Sequence, residues 1–125
     1  IGVRLVGSEM CIRDSCSTAR EAVLLMGRLA EQYGYRDGGE CLTVADKREL
    51  WFFEITGAGS EDMGALWVAR RIPDDHVTVS ANTPRISDVD FGDKDNYMYL
   101  FGGKETNSSN VLNQIWRGRI NRLGF

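Results

Sequence analysis

Three cysteines, a single histidine, a run of aspartates and a scatter of glycines are the residues of this 125-residue chain whose types could do chemistry. A thiol turns into a nucleophile or a metal ligand once a nearby base or cation removes its proton. Cys11, Cys16 and Cys41 have no CxxC spacing and are odd in number, which argues against a zinc knuckle or a closed disulfide framework. Cys16 precedes a helix start, where thiol pKa values fall, but no base stands near it in sequence. His76 would have to serve any histidine-dependent triad, and its place beside Asp74 and Asp75 reads as surface.

Asp88, Asp90, Asp93 and Asp95 have the carboxylate density of a calcium loop without its spacing. Counted from Asp88, Gly92 falls one position early and no glutamate closes the twelve-residue motif, so a solvated turn and no metal site are expected. The glycines at 38, 39, 57, 59 and 64 match neither GxGxxG nor GxxxxGK[ST] and read as turn residues.

The elements that must position any site begin with a helix. Thr18 and Glu21 form a T-x-x-E capping box, and Ala22, Met26, Leu29, Ala30 and Tyr33 follow at spacings of three and four, up to a C-terminal Gly34. The period then changes. Residues 41–45, 49–56, 65–71 and 76–81 read as strands joined by short turns, an order that predicts an antiparallel meander. Trp51, Phe53 and Ile55 alternate with Leu50, Phe52 and Glu54, so both faces of the second strand are largely apolar and the sheet needs cover on both sides. One helix cannot supply both covers, which points to missing chain.

A net charge of −3 and a pI near 5.1 give no overall attraction to nucleic acid or anionic membranes, and neither is expected as a partner. No apolar run approaches the length of a membrane-spanning helix. The compartment and oligomeric state are not legible. Residues 100–125 carry Lys104, Arg117, Arg119 and Arg122 against Glu105, a net +3, which leaves −6 for the remainder and marks a boundary at residue 100. The tail is expected to be foreign or frame-shifted, or to form a short amphipathic helix around Val111, Leu112, Ile115 and Trp116. Residues 1–15 show no sustained period, and the run from Val6 to Ser15 resembles translated sequencing-adapter sequence, so a disordered or non-native leader is expected.

Between these ends, Thr18-Ala-Arg-Glu-Ala22, Tyr33-Gly-Tyr35, Val44-Ala-Asp46, Glu54-Ile-Thr-Gly57, Ala65-Leu-Trp-Val-Ala69, Arg71-Ile-Pro-Asp74 and Ala81-Asn82 stand in a distinctive order. Residues 16–99 resemble the middle of the bacterial cysteine dipeptidases of the N-terminal nucleophile (Ntn) hydrolase superfamily. The resemblance implies an α+β fragment of an αββα sandwich, small peptides (dipeptides) as substrate, and no cofactor. It also implies a nucleophile at the first residue of the mature chain, whose thiol attacks while its own α-amino group acts as base. None of the three cysteines here occupies that position, so the fragment is expected to be inactive alone. Asn82, in Ser80-Ala-Asn-Thr-Pro84, is similar to a strand-end asparagine of choloylglycine-type hydrolases that helps hold the oxyanion, which makes it the catalytic candidate. Arg85 is the candidate for binding a substrate carboxylate. Two other readings stay open. One is an Ntn amide hydrolase of choloylglycine or penicillin acylase type, the other a non-catalytic α+β interaction module with a basic tail.

Overall fold

The computed structural model describes residues 15–57, 65–79, 81 and 84–101. It contains helix α1 (Ala19–Tyr33) and strands β1 (Glu40–Ala45), β2 (Leu50–Gly57), β3 (Ala65–Ile72) and β4 (Tyr97–Phe101). The four strands form one sheet in the order β1-β2-β3-β4, each pair antiparallel. The α+β meander read from the sequence is therefore present. The leader, apart from Ser15, and residues 102–125 of the tail lie outside the described residues. No helix among the described residues is long and apolar enough to cross a membrane.

The capping box forms as expected. Thr18 Oγ1 accepts the Glu21 N–H at 3.1 Å, while Glu21 Oε2 accepts the N–H groups of Ser17 at 2.9 Å and Thr18 at 3.3 Å. A helix start of this kind stabilises by about 1 kcal/mol. The far end closes at Gly34, whose φ of 77° suits a residue without Cβ and whose N–H returns to the Ala30 carbonyl at 2.8 Å.

A second contact ties this start to the sheet. Asp46, in the turn between β1 and β2, accepts the Ala19 N–H on Oδ2 at 2.8 Å. Its Oδ1 accepts the N–H groups of Arg48 at 2.6 Å and Glu49 at 2.8 Å. These three bonds favour the charged carboxylate and lower the Asp46 pKa from 3.8 to about 2, the bond from Ala19 contributing most. Because the folded pKa lies below the unfolded one, this stabilisation is complete above 3.8 and is lost as pH falls toward 2. Urea denaturation at a series of pH values across that window is expected to show stability falling with acid, and a shallower fall in Asp46→Asn.

The helix packs a slightly different stripe from the one its spacing predicts. Ala19, Ala22, Val23, Met26 and Gly27 are buried, whereas Tyr33 is 62% exposed. The reason is Trp67. A Cβ added at Gly27 would meet its indole ring at 2.3 Å, so the helix lies on a face turned to admit that ring. Trp67 stacks on Phe53 with centroids 5.5 Å apart and donates its Nε1–H to Glu31 at 3.2 Å. Trp51, Phe53, Ile55, Ala65 and Ala69 complete this face of the sheet.

Phe52, Leu66 and Val68 point to the opposite face, confirming that the sheet is apolar on both sides. Its cover is unexpected. Ile86 and Val89, from a segment that reads as polar, are buried against these three side chains. The strand expected at residues 76–81 is a correction. Residues 76–79 carry no strand, and Val77 and Val79 are exposed. The period of two is there, but the free side of β3 is taken by β4, from Leu66 against Phe101 to Arg70 against Tyr97. Pro73 and the turn at Asp74-Asp75, closed by the His76 N–H on the Pro73 carbonyl at 3.0 Å, lead the chain off the sheet instead.

Candidate functional site

β2 is an interior strand, flanked by β1 and β3, and Glu54 interrupts its apolar run. Because side chains alternate along a strand, Glu54 shares the face of Phe52 and points under the segment that carries Ile86. It is 1% exposed. Glu54 Oε1 accepts the backbone N–H of Arg85 and, at 3.0 Å, that of Ile86. Oε2 has no hydrogen-bond partner among the described residues. Burial pushes the carboxyl pKa up, and the two N–H groups oppose that shift. Removing an acceptor from a buried N–H costs roughly 1–3 kcal/mol, so this carboxylate governs where residues 85 and 86 lie.

Cys41 stands directly opposite Glu54 in the pairing of β1 with β2. Burial, then the nearby carboxylates of Glu54 and Glu40, push its thiol up to about 12, with Arg85 pulling weakly the other way. Cys41 is therefore a protonated, unreactive thiol at neutral pH. Cys16 is half-buried against the helix-side core. It borders a cleft of about 300 Å³ between the start of α1 and β1, lined also by Thr18, Ala22, Met26, Leu42 and Asp46. Both Asp46 oxygens are already committed to backbone N–H groups.

Of the two site residues read from the sequence, Asn82 lies outside the described residues. Arg85 is exposed, and its main chain is held by Glu54. His76 is an exposed residue whose Nδ1 meets Asp75 Oδ1 at 2.6 Å, and this contact depresses the Asp75 carboxyl pKa. The aspartate run builds turns: Asp90 Oδ1 accepts the Gly92 N–H at 3.0 Å, and Asp93 accepts the Asn96 backbone N–H at 3.2 Å and its side-chain amide at 2.8 Å. A second charged group, Glu49, sits just before β2 begins. It accepts from Arg20 Nη2 and Trp51 Nε1, each at 2.9 Å, and holds Arg71 Nε at 3.7 Å, a network that fastens α1 to the sheet.

Sequence reasoning missed Glu54. The signal was present: a single acid within Trp51–Ile55, on a strand whose two faces are both expected to be buried, must find partners or lose its charge.

A helical layer on one face of an antiparallel sheet, with a buried carboxylate fixing a loop on the other, defines an α+β protein, and comparison of the whole sequence assigns it to the peptidases. Residues 9–121 match Peptidase family C69, and the chain belongs to that family. The chain is 41% identical over 111 residues to a probable dipeptidase of Latilactobacillus sakei, covering 87% of this chain and 22% of that protein. It is 38% identical over 85 residues to probable dipeptidase B of Streptococcus pyogenes serotype M1, covering 68% of this chain and 16% of the relative. A probable dipeptidase A of Streptococcus pyogenes serotype M3 is 33% identical over 82 residues, covering 65% and 16%. The chain thus spans about a fifth of the length of these relatives or less. No solved structure matches.

Proposed function

We propose that these residues are an internal segment of a cysteine dipeptidase of the Ntn type, whose parent hydrolyses the peptide bond of dipeptides. The observation that carries this reading is the family match over residues 9–121, joined to relatives named as dipeptidases. In the parent, the thiol of an N-terminal cysteine attacks the scissile carbonyl carbon and its α-amino group takes the proton. The peptide C–N bond breaks, the amine leaves with a proton, and water hydrolyses the resulting thioester. Asn82 donates from its amide to the oxygen that gains charge during the attack. Arg85 pairs through two N–H groups with the carboxylate of the substrate. The segment contributes sheet, helix and these two side chains, and has no activity by itself.

The test is expression of the full-length parent, N-terminal sequencing, and assay against dipeptides alongside bile-acid amides and penicillin-type acylamides. A mature N-terminal cysteine is expected, with dipeptide hydrolysis abolished by iodoacetamide. Preference for the bile-acid or acyl amides would transfer the parent to another Ntn amide hydrolase. Peptidase activity from the 125 residues alone would overturn the division of labour proposed for the segment.

A further inference from the structure

We propose that Glu54 is a positioning residue, which fixes the backbone at Arg85 so that the Arg85 guanidinium meets the C-terminal carboxylate of a dipeptide. This inference rests on the reading of Arg85 given above. Three observations converge on it.

Glu54 occupies the middle of an interior strand, 1% exposed, where an aliphatic side chain would pack without desolvating a carboxylate. Its Oε1 accepts the N–H groups of two consecutive residues, Arg85 and Ile86. Ile86 is itself buried on Phe52, Leu66 and Val68, so the backbone at residue 86 is held by a hydrogen bond and by apolar packing at once. Arg85 has its main chain held and its side chain exposed. Among the described residues, no carboxylate pairs with its guanidinium. A cation held at its base and exposed at its tip suits an arriving anion, and a dipeptide places its carboxylate within a few bonds of the scissile carbonyl.

Long arginine side chains lose conformational freedom on binding, and a fixed backbone reduces the number of arrangements the guanidinium must give up. A residue acting in this way alters affinity for the carboxylate and leaves the chemical step alone. In the full-length parent, Glu54→Leu is expected to raise KM about tenfold for dipeptides with a free carboxylate, a size set by loss of the acceptor for two backbone N–H groups. kcat, and KM for C-terminally amidated dipeptides, are expected to stay within about twofold. Glu54→Gln keeps an oxygen acceptor for both N–H groups and is expected to restore the wild-type KM.

Amide hydrogen exchange on the unsubstituted parent reads the clamp even if Glu54→Leu fails to fold. The Arg85 and Ile86 N–H groups are expected to exchange at least about tenfold more slowly than in an unstructured peptide. Unprotected exchange at both positions, or an equal rise of KM for free and amidated dipeptides, overturns the proposal. An Arg85→Ala effect on KM without a Glu54→Leu effect overturns the role of Glu54 alone. Arg85→Ala with no effect on KM overturns the assignment of Arg85, and the proposal with it.

Discussion

Asn82→Ala in the full-length parent is expected to lower kcat by about 10²–10³-fold with a much smaller change in KM, the usual cost of losing one oxyanion donor. The charge at issue exists only transiently. The substrate carbonyl oxygen is a weak acceptor, whereas in the tetrahedral intermediate it carries nearly a full negative charge, so an amide N–H aimed at it gains strength as the reaction proceeds. Asn82→Asp is expected to be at least as damaging, because it keeps the shape, removes the donor and adds a like charge. Steady-state kinetics on a dipeptide, with thermal unfolding to confirm that the variants are folded, checks both. A loss of less than about tenfold in kcat for both variants would overturn the oxyanion role proposed for Asn82.

The largest expected effect on stability is at Trp67. Its side chain is 4% exposed, stacked on Phe53, seated on the open surface of Gly27 and hydrogen-bonded to Glu31. Trp67→Ala is expected to cost about 3–5 kcal/mol, the range for large aromatic truncations in a packed core. Domains of this size are stable by about 5–15 kcal/mol, so the variant should lie near the edge of folding. Gly27→Ala drives a methyl group into the ring of Trp67 and is expected to destabilise by about 1–3 kcal/mol. In the Trp67→Ala background the same methyl group enters space the ring has left, and its cost should vanish or reverse. Urea denaturation of the four chains gives the coupling directly; strictly additive losses would show that the ring and the glycine do not meet.

Helix, hairpin and third strand were legible because each is written locally. The Thr18–Glu21 cap, the glycine at 34 and the alternation around Trp51 need only neighbouring residues to be recognised. Where the reading failed, the deciding partner is distant. Residues 76–79 have a strand's alternation, but whether they pair depends on competition for β3, and Tyr97–Phe101 wins it. Tyr33 has the spacing of a core residue, yet Trp67, thirty-four positions later, sets which helix face turns inward. Ile86 and Val89 are two apolar residues in a polar stretch, too few to announce the face they cover. Glu54 was visible as an anomaly in an apolar strand, and its partners at 85 and 86 were not.

The chain leaves β3 after Ile72 and rejoins the sheet at Tyr97. At the return, the Asn96 carbonyl accepts the Arg71 N–H at 2.8 Å and the Asp95 carbonyl accepts from Arg20 Nη2 at 2.9 Å. Glu54 secures the same stretch from below at Arg85 and Ile86. Anchored at its root, its middle and its return, the excursion amounts to two independent spans of chain. Lengthening a span that is closed at both ends costs only a few tenths of a kcal/mol per added residue or less. Insertions near Val77 and Val79, which are exposed, can therefore accumulate without disturbing the sheet. The fold thus holds the sheet constant while the length of the excursion is free to vary.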